Sequence, residues 1–162
     1  MHVLIATTGV LSSEPVVEFT RQLLGQNGKV TVMTVIEVPR QFLDDLQRTT
    51  GGTRGDTSDA AADKYLQERG HRLVESVAQA LEGARIPYEV IYVDGADPAI
   101  AISQTAGDLD ADVVVLGATR PIFDRDAWES VSARVMLECG KPVLVVPSPP
   151  DKVDEDKEDD PV

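Results

Sequence analysis

Apolar positions along this chain switch repeatedly between a short unbroken or alternating pattern and a step of three to four, and each switch marks an element. Residues 2–6 form an apolar run that ends at Thr7-Thr8-Gly9, which predicts a first strand and its turn. Ser12-Ser13-Glu14-Pro15 then supplies a capping hydroxyl, an early acid and a first-turn proline, opening a helix to about Gln26. Its expected apolar face is Val16, Phe19 and Leu23, with Val17 and Leu24 beside them, and Asn27-Gly28 stops it. Residues 30–36 are rich in β-branched side chains and predict a second strand.

From Pro39 to about Ser58 the periodicity fades, apart from a short helical turn expected over 41–46. A loop of that length inside a domain is either mobile or functional. Ser58 or Asp59 can cap a long helix to about Leu81, on which Ala62, Leu66, Gly70, Leu73, Val77 and Leu81 make one stripe. Gly70 on that stripe allows close approach to a sheet, at a helix-propensity cost of about 1 kcal/mol. Residues 88–93 read as a third strand. Asp97 and Pro98 then cap and open a helix through Leu109.

Val113-Val114-Val115-Leu116 predicts a strand buried on both faces, stopping at Gly117. After a loop, Asp126-Ala127-Trp128-Glu129 is a candidate helix start, with Asp126 as N-cap and Glu129 three residues on, leading to Cys139 and a stop at Gly140. Val143-Leu144-Val145-Val146 is the last strand, closed by Pro147. Strict alternation of strand and helix predicts an α/β, doubly wound, Rossmann-like fold with a five-stranded parallel sheet and helices on both faces. Ligands of such folds bind at the carboxyl edge of the sheet.

Composition narrows the function classes. The 162 residues suit one domain, expected over 1–148, and 42% apolar content fits a packed core. Residues 149–162 form an acidic tail, expected to be disordered because it has almost nothing apolar to bury. From Asp151 onward seven acids and two lysines carry −5, so −8 of the net −13 belongs to residues 1–150. That balance disfavours contact with nucleic-acid phosphates or an anionic membrane. No stretch is long and apolar enough to span a bilayer and no secretory leader is evident, so a cytoplasmic protein is expected. The single cysteine excludes an intrachain disulfide and any CxxC metal site. The acid excess with only five lysines is also compatible with a high-salt cytoplasm.

No GxSxG elbow, HExxH helix or EF-hand loop is present, and His2 and His71 lack partners spaced for metal. Gly51-Gly52-Thr53-Arg54-Gly55 lacks the Gly-Lys-Ser/Thr ending of a phosphate loop. Cys139 at a helix C-terminus lacks the cationic setting that activates a thiol.

Residues 3–9, residues 30–38, residues 113–119, the Ser130-Val131 helix and Lys141-Pro142-Val143-Leu144-Val145-Val146 together resemble the universal stress protein family, in the right order over nearly all of residues 1–147. The resemblance implies strand order 3-2-1-4-5 and a homodimer formed partly through Val143, Leu144, Val145 and Val146. An apolar edge strand agrees with the second point, because an open edge invites another copy; the alternative is that Pro147, Pro149, Pro150 and the acidic tail guard that edge instead.

Some members of the family bind ATP through a motif of Gly, two residues, Gly, nine residues, Gly, then Ser or Thr. Glycines there let backbone amides approach phosphate at a helix N-terminus. This chain keeps Gly117, but Arg120 stands at the second glycine. Either Ser130-Val131 matches the family's Ser-Val, which puts Glu129 at the third glycine and leaves the run one residue short, or the spacing is kept and Ser130 and Val131 occupy the final pair. After the first strand, Thr8 stands where nucleotide binders usually carry aspartate.

The resemblance therefore implies a non-enzymatic stress-response regulatory or interaction module with no cofactor and with the ATP motif largely lost. The alternative is an adenine-nucleotide protein, holding ATP with or without Mg²⁺ through Thr7, Thr8, Gly9, Gly117, Ala118, Arg120 and Ser130. Arg120 and Arg125 then act as a charge clamp; otherwise they are solvated loop arginines or partners of Asp124 and Asp126. Trp128 either plugs the nucleotide position or packs at the dimer contact.

Overall fold

The computed structural model describes residues 1–9, 11–41, 44, 56–117 and 130–147; side chains of 56–58 are left aside. Its elements are β1 (His2–Ala6), α1 (Ser13–Leu24), a 3₁₀ turn (Gly25–Asn27), β2 (Lys29–Ile36), α2 (Asp56–Gly83), β3 (Glu89–Asp94), α3 (Pro98–Asp108), β4 (Val113–Gly117), α4 (Val131–Glu138) and β5 (Val143–Val146). The strands form one parallel sheet in the order β3-β2-β1-β4-β5. This is the doubly wound arrangement that alternation and the family resemblance predicted. The acidic tail, the turn expected over 41–46 (Gln41 and Asp44 aside) and the loop after Gly117 lie outside the described residues.

Period-two burial explains the layers. Val3, Ile5, Val30, Val32 and Val115 point to one face, where Val16 and Val17 of α1 and Val74, Val77 and Leu81 of α2 cover them. Leu4, Ala6, Met33, Val114 and Leu116 point to the other, under Ala99, Ile102 and Ala106 of α3 and Val135 of α4. Central strands buried on both faces read as continuous apolar runs for this reason.

Gly70 does what its place on the stripe implied. A Cβ there would lie 2.3 Å from the Tyr92 ring, so the helix rests on β3 only because residue 70 has no side chain. Two expectations are corrected. Phe19 is 48% exposed while Thr20 is fully buried, so the sheet-facing side of α1 runs through Val16, Val17 and Thr20. Ser12 occupies the N-cap of α1, but its hydroxyl accepts no cap bond.

The acidic corner before β4 is a stitching point. Asp112 Oδ2 accepts the His2 amide at 2.6 Å, and Lys141 donates to Asp110 Oδ1 at 2.7 Å. The His2 ring sits between Leu109 O (3.2 Å) and Thr31 Oγ1 (2.9 Å), closing the amino-terminal end of the sheet. Among the described residues no helix is long and apolar enough to cross a membrane.

Candidate functional site

In a 3-2-1-4-5 sheet the winding reverses between β1 and β4, so their carboxyl ends open a crevice. Ala6 pairs with Leu116 and Gly117 with Val146, which brings Thr7 alongside Gly117 at that crevice. Thr7 is 5% exposed and tied on both sides: its amide donates to Met33 O at 3.0 Å, and its Oγ1 accepts the Gly9 amide at 3.0 Å. Thr8 is exposed at the same edge. Gly9 has φ +91°, and a Cβ there would meet Leu73 Cδ2 at 3.3 Å, so this turn needs glycine twice over. A Cβ on Gly117 would lie 3.2 Å from Leu11 Cδ1, which makes the end of β4 a close-packed backbone position.

Ser130 is the N-cap of α4, with φ −68° and ψ 145°, and its Oγ accepts the Ala133 amide at 3.2 Å. That corrects the sequence expectation that the helix begins from an Asp126 cap. Among the described residues the apolar positions that bind α4 to the sheet are Val131 and Val135, and a serine just before them satisfies an amide that would otherwise lack a partner. Ser130 Oγ also lies 3.2 Å from Ser132 Oγ. Of the other residues singled out from the sequence, Ala118, Arg120, Arg125, Asp126, Trp128 and Glu129 fall outside the described residues.

Sequence reasoning missed a third component. Arg134 Nη1 donates to Asp97 Oδ2 at 2.8 Å and Arg134 Nε donates to Glu138 Oε1 at 3.2 Å. Asp97 Oδ1 meanwhile accepts the Ala99 and Ile100 amides at 3.0 and 3.2 Å, capping α3. One carboxylate thus joins the start of α3 to α4. The Arg134 hydrogen bond, then the Ile100 amide, holds the Asp97 carboxyl below its ordinary range, and Asp97 followed by Glu138 raises the guanidinium. The cap was legible in Asp97-Pro98, but nothing local marks a partner 37 residues away.

A polyphosphate would find only part of what it needs here. The described residues offer it the close backbone at Gly9 and Gly117, the Thr8 hydroxyl and the first amides of α4, while Ser130 Oγ already accepts the Ala133 amide and Arg134 is paired with two carboxylates. Charge neutralisation for phosphate does not come from them. Among the described residues no group of three or more His, Cys, Asp or Glu side chains is placed to hold a metal ion.

Fold and crevice together define a doubly wound α/β protein with a crevice between the carboxyl ends of β1 and β4. The sequence matches the Universal stress protein family over residues 1–147, and the chain belongs to that family. Similar solved structures include the hypothetical protein MJ0577 (19% identity, TM-score 0.63, covering 92% of this chain and 96% of that one). A universal stress protein family protein from Arabidopsis thaliana with AMP bound is 18% identical, with TM-score 0.56 and 99% coverage of both chains. A universal stress protein in complex with cAMP is 21% identical, with TM-score 0.54, covering 92% of this chain and 98% of that one. At these identities the likeness is one of fold. No curated relative matches the sequence.

Proposed function

We propose that this chain is a non-catalytic regulatory or interaction module of the stress response, acting in the cytoplasm as a homodimer joined along β5. The observation that carries this reading is the state of the α4 N-terminus. Its cap hydroxyl already accepts a helix amide and its arginine is paired with carboxylates, in a chain that has Arg120 where nucleotide binders of the family resemble one another in glycine and Thr8 where they usually carry aspartate. The dimer is supported by β5, an edge strand whose four residues are all apolar. On the preceding helix Met136 and Leu137 are also exposed apolar side chains, at 53% and 86%.

A second reading is favoured by two of the similar structures, which hold AMP and cAMP. In it, an adenine nucleotide lies over Thr7, Thr8, Gly9, Gly117, Ala118 and Ser130, with Arg120 and Arg125 supplying the charge that the glycine cradle no longer organises. One experiment separates the two. Purified protein is denatured and its supernatant analysed for released nucleotide, and ligand-free protein is titrated calorimetrically with ATP, with and without Mg²⁺.

Silence in both assays is the outcome of the first reading. Co-purified nucleotide, or micromolar affinity (about 8 kcal/mol) that falls in Arg120→Ala, establishes the second. The double variant Arg120→Gly with Glu129→Gly tests the cause: it gains ATP affinity if loss of the cradle is what weakens binding.

A further inference from the structure

The sheet has a second open edge, and its chemistry differs from that of β5. Among the described residues strand β3 pairs only with β2, in register from Thr31↔Glu89 to Ile36↔Asp94, so its outer row of backbone groups faces away from the sheet. Between β3 and α3 runs an open groove of about 340 Å³. Its apolar part is Val93, Ala101 and Ile100, the last 46% exposed, and its rim carries Asp94, Asp97 and Asp108 without a basic residue among those lining it.

The three carboxylates are unequal. Asp97 is consumed by its cap and by Arg134, whereas Asp94 uses one oxygen to accept the Val38 amide at 3.2 Å and its other oxygen has no partner among the described residues. Asp108 makes no ion pair among the described residues and sits in the last turn of α3, where the helix dipole adds negative potential. Glu89, at the start of β3, is paired with Lys29 at 3.1 Å, with both side chains more than half exposed.

This edge selects against a second copy of the chain. Antiparallel self-pairing in full register would set Glu89 opposite Asp94 at both ends, and like charges directly opposed destabilise a strand pair. A strand bearing cations meets the reverse condition. We propose that the β3 edge and the groove beside it form a docking surface for a basic, extended segment of another protein. The segment adds to the sheet alongside β3, sets lysine or arginine against Asp94 and Asp108, and lays an apolar side chain on Ile100. This deepens the interaction-module reading by naming a class of partner, and it rests on that reading.

The test uses the full chain and a fluorescent peptide of about ten residues repeating Lys-Lys-Val-Val, which carries both lysine and valine on each face of an added strand, read by anisotropy. Binding is expected to weaken as salt is raised. It is expected to fall roughly fivefold in Asp94→Asn with Asp108→Asn, the range of two exposed ion pairs. The Asp94→Asn change leaves a carbonyl oxygen able to accept the Val38 amide, so the loop it holds is kept. The control double variant Glu68→Gln with Glu75→Gln removes the same net charge from α2 and should bind as the parent does. A peptide N-methylated at alternate residues, which cannot complete a ladder, should lose binding.

No binding of the basic peptide overturns the proposal. Equal weakening in the control variant, or undiminished binding of the N-methylated peptide, overturns it in favour of diffuse attraction to an acidic protein. A failed peptide titration leaves the dimer and nucleotide measurements standing, so the two readings fail separately.

Discussion

Asp97 holds Arg134 with one carboxylate oxygen at 2.8 Å while the other oxygen caps α3. The two helices on that face of the sheet are therefore fixed to each other at the edge where the crevice opens. Asp97→Asn should keep the cap and lose the ion pair, whereas Asp97→Ala loses both, so thermal melts should rank the parent above the asparagine variant and that variant above the alanine one. Because the Asp97 carboxyl is held below its ordinary range, its stabilisation is present above the unfolded carboxylate pKa and is lost as pH falls through the lower folded value. Asp97→Asn should flatten that acid-side loss, which a series of melts at decreasing pH would read. Retention of the full acid sensitivity in the variant would assign it to other carboxylates.

Gly70 and Tyr92 give a packing prediction. Gly70→Ala forces a Cβ to 2.3 Å from the ring, and overpacking of this kind should destabilise the fold by about 1–3 kcal/mol despite alanine's better helix propensity. Pairing it with Tyr92→Ala should recover part of the loss in chemical denaturation. Simple additivity of the two variants would mean that the contact is not the cause.

Ser130 offers a test of the α4 start. Ser130→Ala should cost about 1 kcal/mol through the lost cap, and Ser130→Asp should restore most of it. If the nucleotide reading holds, Ser130→Ala also weakens ATP binding beyond what the stability change explains.

Tyr88 donates to Glu82 Oε1 at 2.6 Å, and this hydrogen bond, with a smaller effect of burial, pushes the phenol from 10.0 up to about 12. The contribution to stability is complete below pH 10 and disappears as pH rises through about 12. Ultraviolet difference titration should show one late tyrosine, and Glu82→Gln should bring it towards the ordinary value. A late tyrosine that persists in Glu82→Gln would point to burial alone.

Val145→Lys places a charge on the β5 edge and should convert the proposed homodimer to a monomer in sedimentation velocity, with the circular dichroism unchanged. A dimer that survives this change must be joined elsewhere.

Much of this architecture is written locally. Each strand is a short β-branched or apolar run bounded by glycine, proline or an acid, and the burial of Val3 to Ala6 and Val114 to Leu116 on both faces is what such runs imply in a parallel sheet. Helix faces are less legible. Phe19 lies three residues after Val16, yet the sheet takes Thr20 instead, because which part of an apolar arc turns inward depends on how the helix sits over the strands. The start of α4 is ambiguous in the sequence since Asp126 and Ser130 are both good caps, and the choice of Ser130 emerges only in the folded chain, where its Oγ accepts the Ala133 amide. Asp97 with Arg134 is out of reach because an ion pair between distant elements leaves no periodic trace.

The unlike edges of the sheet also set the valence of self-assembly. Two chains joined at β5 would make one continuous double-width sheet with a β3 strand at each outer border. Those borders carry Glu89 and Asp94, which act as terminators for further identical strands. Growth would then end at two chains, and a protein with uncharged strands at its core would avoid indefinite polymerisation by leaving only its acidic margins exposed.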